Sequence, residues 1–144
     1  MSEGRSLATM IELGHRHASL EAAKKLEPLM ETMVDEPVYE FHPLGRMMRG
    51  GERVRRYYTQ FIANFMQTIV GYELLDEWAN EHSVVQEYDI TVDVGDGPET
   101  HRVVGVLFAD AANPALLGGE RIYGGERICR MMLGELFDEL EALS

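Results

Sequence analysis

Apolar positions near the start of the chain fall at helical spacing. On a wheel of about 100° per residue, Thr9, Glu12, Arg16, Ser19 and Ala23 share one face. Met10, Leu13, Gly14 and Leu20 occupy the opposite arc, which predicts a helix over residues 6–25. Residues 26–34 predict a second, short helix restarted at Pro28, a residue tolerated in a first turn. Val38 to His42 then reads as a strand, followed by a Pro43-Leu44-Gly45 turn and a basic loop ending at Gly50-Gly51. Val54, Tyr57, Tyr58, Phe61, Ile62 and Phe65 repeat at i, i+3, i+4 and i+7, the signature of a third helix with one buried face.

The rest of the chain changes period. Strands are predicted over residues 69–78, 83–93, 100–109 and 119–128, with turns at Gly95-Asp96-Gly97-Pro98 and from Asp110 to Pro114. A last amphipathic helix uses Met132, Leu133, Leu136, Phe137 and Leu140. Helices first and a run of strands after predict an α+β fold, with helices packed on a curved antiparallel sheet. Such a cone would hold a pocket inside, and the whole chain, residues 1–144, reads as one domain.

Two polar residues interrupt the apolar stripe of the first helix. His17 and Glu21 lie one turn apart near its centre, with Cβ atoms about 6 Å apart. Polar groups on an inward face cost several kcal/mol unless paired or wetted, so the interior must receive them. His17 is either a core histidine bonded to Glu21 or a carbonyl, or part of a site. In the second long strand Val84, Gln86, Tyr88, Ile90 and Val92 alternate with Val85, Glu87, Asp89 and Thr91. Glu87 and Asp89 thus share a face about 7 Å apart, as the wet side of a half-exposed sheet or as a carboxylate pair facing a cavity. Tyr39, Tyr57, Trp78 and Tyr123 are candidates for packing or for ligand contact.

Composition narrows the function classes. The chain has 144 residues, 45% of them hydrophobic and 26% charged, which fits an ordered globular domain. A formal net charge of −12 opposes binding to nucleic acid or to an anionic membrane. Arg46, Arg49, Arg53, Arg55 and Arg56 form one basic cluster, read as a solvated face or as an entrance for an anionic group. No apolar run approaches the ~20 residues of a membrane span, and Met1 to Arg5 lacks a signal-peptide layout. The single cysteine, Cys129, fits a reducing cytoplasm and reads as a buried structural thiol. No zinc-like spacing, dinucleotide fingerprint or P-loop occurs, so neither metal nor cofactor is expected.

The chain resembles the nuclear transport factor 2-like superfamily, in particular its branch of ketosteroid isomerases and SnoaL-like polyketide cyclases. The resemblance rests on Asp35-Glu36-Pro37-Val38-Tyr39-Glu40, His42-Pro43-Leu44-Gly45, Arg49-Gly50-Gly51, Val54-Arg55-Arg56-Tyr57-Tyr58 and Glu120-Arg121-Ile122-Tyr123-Gly124-Gly125. It implies that His42 stands where such isomerases carry an aspartate base, and that His17 stands nearest their tyrosine donor. The second donor position falls near Gly105, with no acid in register. Two histidines there would make an acid–base pair that titrates near neutral pH.

Two functions follow as expectations. One is a cofactor-free isomerase, cyclase or dehydratase on a small apolar molecule, with His17 and His42 moving a proton and Glu21 orienting His17. Tyr39, Tyr57, Trp78, Glu87, Asp89 and Tyr123 would then contact the substrate. The other is a non-catalytic ligand binder or dimeric accessory protein. Both imply a homodimer paired through an outer sheet face carrying Tyr88, Ile90 and Val92.

Overall fold

The computed structural model describes residues 6–143, and its helices lie against one face of an open, curved sheet. The first helix, α1 (Leu7–Ala22), starts where the Ser6 hydroxyl accepts a hydrogen bond from the Thr9 amide at 3.2 Å. It buries Met10, Leu13, Gly14 and His17. Gly14 permits this approach, because a Cβ there would stand 2.9 Å from a Val84 methyl. The second helix, α2 (Leu26–Met30), is shorter than its sequence predicts. The chain leaves it at Thr32, whose carbonyl accepts the Leu117 amide, so the strand β1 (Met33–His42) begins five residues before the expected Val38.

The expected basic loop is partly a strand. β2 (Arg46–Arg49) pairs antiparallel with β1 in the register Val38↔Arg49 and Phe41↔Arg46. The third helix, α3 (Gly51–Gln60), runs on through a π-helical turn, Phe61–Phe65, and a 3-10 turn, Met66–Thr68. It buries Val54, Tyr57, Tyr58, Phe61 and Phe65, the face its spacing predicts. Its cations turn outward to acids: Arg53 bonds Glu141, Arg55 bonds Glu27 and Arg56 bonds Glu139.

Three long strands follow as a meander, β3 (Ile69–Ala79), β4 (Ser83–Asp93) and β5 (Pro98–Ala109). The next strand, β6 (Leu117–Tyr123), stops short of the predicted Ile128. Gly124 and Gly125 break it, and the helix α4 (Glu126–Leu133) forms where strand was expected. In α4 the apolar residues Ile128, Cys129, Met132 and Leu133 are buried at helical spacing, and Glu126 bonds Arg130 one turn on. A 3-10 segment, Gly134–Glu139, carries the rest of the expected last helix and buries Leu136. A final strand, β7 (Glu141–Ala142), pairs with β2.

The sheet has the order β3-β4-β5-β6-β1-β2-β7. It is mixed and not wholly antiparallel as expected, because β1 and β6 pair in parallel. That pairing brings the early strand back into the middle of the later meander. One face of the sheet packs on α1, α3 and α4, and between them lies the cavity.

Candidate functional site

The cavity has a volume of about 490 Å³, within the range of small-molecule sites. α1 supplies His17 and Glu21, α3 supplies Tyr57 and Tyr58, β4 supplies Tyr88, and β6 supplies Glu120. Phe61, Phe65, Ile90, Val103, Leu107 and Ile122 make its apolar wall. The mouth is bordered by His15, Glu77 and Gln86: His15 Nε2 lies 2.7 Å from Glu77 Oε1, and Gln86 donates to the other Glu77 oxygen at 2.7 Å.

His17 is 1% exposed, and its hydrogen-bond partners define its tautomer. The Thr32 hydroxyl donates to the Leu29 carbonyl at 2.7 Å, so its oxygen accepts from His17 Nδ1–H at 2.8 Å. Nε2 therefore carries the lone pair and accepts from the Tyr58 hydroxyl at 3.1 Å. The Tyr58 oxygen in turn accepts from Tyr39, 2.5 Å away. Burial drives the His17 pKa down to about 3, so the imidazole stays neutral at physiological pH.

Glu21 Oε2 lies 3.8 Å from His17 Nε2, beyond hydrogen-bond distance, while Thr32 and Tyr58 hold the ring. Its own carboxyl faces the cavity. Burial raises its pKa to about 7, opposed by the nearby Tyr58 hydroxyl. Its side chain is 27% accessible because it borders the cavity. A poorly solvated cavity still penalises a carboxylate's charge and favours the protonated acid.

Glu120 is the residue that sequence reasoning missed. It is 8% exposed, lines the cavity, and has no hydrogen-bond or ion-pair partner among the described residues. Burial, and then the charge of Glu21, pushes its pKa well above the usual carboxylate range. It stands on β6, the strand next to the β5 position to which the resemblance assigned a second donor: Glu120 Oε2 would lie 2.6 Å from a Cβ on Gly105. The available signal was alternation, since Glu120 shares an inward face with Ile122. Tyr57, Tyr58 and Tyr88 are raised well above their usual value by burial and remain neutral donors.

The other sequence candidates lie elsewhere. His42 is on the opposite sheet face, where its Nε2 sits 2.9 Å from Glu40 and its ring stacks on Tyr123 at 4.9 Å. Glu87 and Asp89 also point outward and are held by Arg102, whose Nε donates to Asp89 at 2.6 Å. Trp78 is 50% exposed and does not line the cavity. Tyr39 is fully buried behind Tyr58, whereas Tyr57 does line the cavity. The face carrying Tyr88, Ile90 and Val92 points inward, so the expected outer pairing face is the wrong one: Ile90 and Val92 are core and Tyr88 lines the cavity. Among the described residues no three His, Cys, Asp or Glu side chains gather as a metal site. Among them, too, no helix is long and apolar enough to cross a membrane.

No protein-family model matches the chain, and no curated protein matches it. Solved structures do. A steroid delta-isomerase from Pseudomonas aeruginosa superposes with a TM-score of 0.67 at 14% identity, covering 93% of this chain and 92% of that one. An LEH-like epoxide hydrolase from M. tuberculosis gives 0.62 at 19% identity, covering 88% and 90%. An NTF2-like protein of unknown function from Cytophaga hutchinsonii gives 0.65 at 11% identity, covering 81% and 99%. The chain has the nuclear transport factor 2-like fold. Enzymes and proteins of unknown function share that scaffold, so the fold alone does not fix an activity.

Proposed function

We propose that this protein is a cofactor-free acid–base enzyme of the ketosteroid isomerase and SnoaL-like kind, acting on a small, largely apolar carbonyl compound. One observation carries the reading: two carboxyl groups face one largely apolar cavity, and the more buried one has no hydrogen-bond or ion-pair partner among the described residues. Glu21, poised near neutrality, takes a proton from the carbon beside the carbonyl. The C–H electron pair moves toward the carbonyl oxygen, and the protonated Glu120 donates a hydrogen bond to that growing charge. Returning the proton from Glu21 to another carbon isomerises the substrate. Loss of a β-hydroxyl from the same enolate, leaving as water with the proton held by Glu21, dehydrates it; attack of the enolate carbon on a second carbonyl, whose oxygen takes that proton, cyclises it. His17 acts here as the acceptor that orients Tyr58, and His42 takes no part.

The test is turnover of β,γ-unsaturated ketones, β-hydroxy ketones and aromatic polyketide-like ketones by the wild type, Glu21→Gln and Glu120→Gln. Loss of kcat by about a hundredfold or more in both variants supports the reading. A wild type that exchanges no α-proton of any of these ketones, followed by deuterium NMR, rejects catalysis and favours a non-catalytic binder of the same cavity. The protein is further proposed to be cytoplasmic and to pair as a homodimer through the sheet face opposite the cavity. That face carries Val104, Val106, Phe108 and Tyr123 between its charged residues. Light scattering at micromolar concentration checks the pairing.

A further inference from the structure

The cavity is sorted by charge in a way that acid–base catalysis alone does not require. Glu21 and Glu120 face its interior and Glu77 stands at its mouth, yet among the described residues no lysine or arginine lines it. The histidine inside is neutral, with Nδ1–H committed to Thr32. An entering anion would therefore meet carboxyls and no counter-charge. The remaining wall includes the aromatic residues Tyr57, Tyr58, Phe61, Phe65, Tyr72 and Tyr88, whose ring faces attract cations. Glu120, nine-tenths buried and without a hydrogen-bond or ion-pair partner among the described residues, is a hydrogen-bond group left for an occupant to satisfy.

We infer that the cavity is a receptor for hydrophobic amines, whose ammonium sits between Glu21 and Glu120 and whose hydrocarbon part lies on the aromatic wall. This inference rests on the same carboxyl pair as the proposed activity, and an amine would occupy it as a competitor of a neutral carbonyl substrate. The ammonium takes the place of a proton in the pair: a protonated glutamate meeting R–NH3⁺ becomes carboxylate bonded to R–NH3⁺, and one proton leaves to solvent. Binding of an amine thus strengthens as pH rises through the range in which Glu21 ionises. The other titratable groups facing the pair, Tyr57, Tyr58, Tyr88 and His17, keep their proton states there. His15 and Glu77 lie at the mouth, where they pair with each other.

The experiment uses three probes of one shape, 4-phenylcyclohexylamine, 4-phenylcyclohexanol and 4-phenylcyclohexanecarboxylate, titrated calorimetrically into the full chain. At pH 7.5 the amine should bind about tenfold tighter than the alcohol, and the carboxylate at least about tenfold more weakly than the alcohol. Below pH 6.5, titrations in buffers of different ionisation enthalpy should show proton release on amine binding and none for the alcohol. Glu21→Gln and Glu120→Gln should each shrink the amine's advantage while the alcohol still binds, which also shows that the variants are folded. The inference is overturned if the carboxylate binds as well as the amine, if none of the three binds, or if both variants keep the amine preference. Turnover of neutral ketones without any amine preference would refute this charge selection alone and leave the acid–base reading standing.

Discussion

The Glu120 carboxyl group occupies the space that a side chain at Gly105 would fill, with Oε2 2.6 Å from the position of a Cβ there. A glycine on β5 thereby makes room for a glutamate on β6, and the acid of the cavity comes from the neighbouring strand. Gly105→Ala should push Glu120 aside. Because the displaced atom ends a flexible side chain, the stability cost should be only about 1 kcal/mol by thermal melting. Ligand affinity or turnover should fall as far as in Glu120→Gln, and the double variant should be no worse than either single one. Additive losses would show that the two residues act separately.

Stability should depend on pH through the cavity acids. Glu21 and Glu120 have folded-state pKa values above their unfolded ones. The stability they contribute is fully present below about pH 4.5 and is lost as pH rises through the folded values, about 7 for Glu21. The wild type should therefore melt at progressively lower temperature between pH 5 and pH 8. Glu21→Gln should flatten that decline by up to about 3 kcal/mol. An unchanged slope in Glu21→Gln and in Glu120→Gln would contradict the buried placement of these carboxyls.

His17 has the opposite sign. Its folded-state pKa is lowered to about 3, so its contribution is present above pH 6.5 and is lost as pH falls toward that value. Nitrogen-15 spectra should show the Nδ1–H tautomer, with no titration of His17 between pH 5 and pH 8. Thr32→Val removes the acceptor of that proton and strands a buried donor, which should cost about 1–3 kcal/mol. A His17 signal that titrates near pH 6.5 in the folded protein would defeat the assignment.

His42→Ala tests the separation of the two sheet faces. The residue stacks on Tyr123 away from the cavity, so ligand affinity and any turnover should match the wild type. A tenfold loss of either would return His42 to the site.

Periodicity was enough to predict the three leading helices, the long meander strands and the inward direction of His17 and Glu21, because each is a local property of a repeat of 3.6 or 2 residues. It misplaced the end of β6, because alternation through Gly124 and Gly125 does not distinguish a strand from the helix α4 that buries Ile128 and Cys129. It also could not tell which face of β4 is concave. Glu87 and Asp89 alternate correctly with Tyr88 and Ile90, but which set turns inward depends on where α1 and α3 pack.

The site itself was half legible. Polar residues in the α1 stripe marked His17 and Glu21 in one dimension. Pairing His17 with Thr32 and Tyr58, and Glu21 with Glu120, required contacts across 15 to 99 residues of chain, which no local pattern encodes. The sequence by itself determined the amphipathic faces, since side-chain direction follows from backbone geometry. Only the tertiary structure, through the parallel docking of β1 beside β6, decided that Tyr39 would come up behind Tyr58 and that Glu120 would open onto the cavity lined by α1.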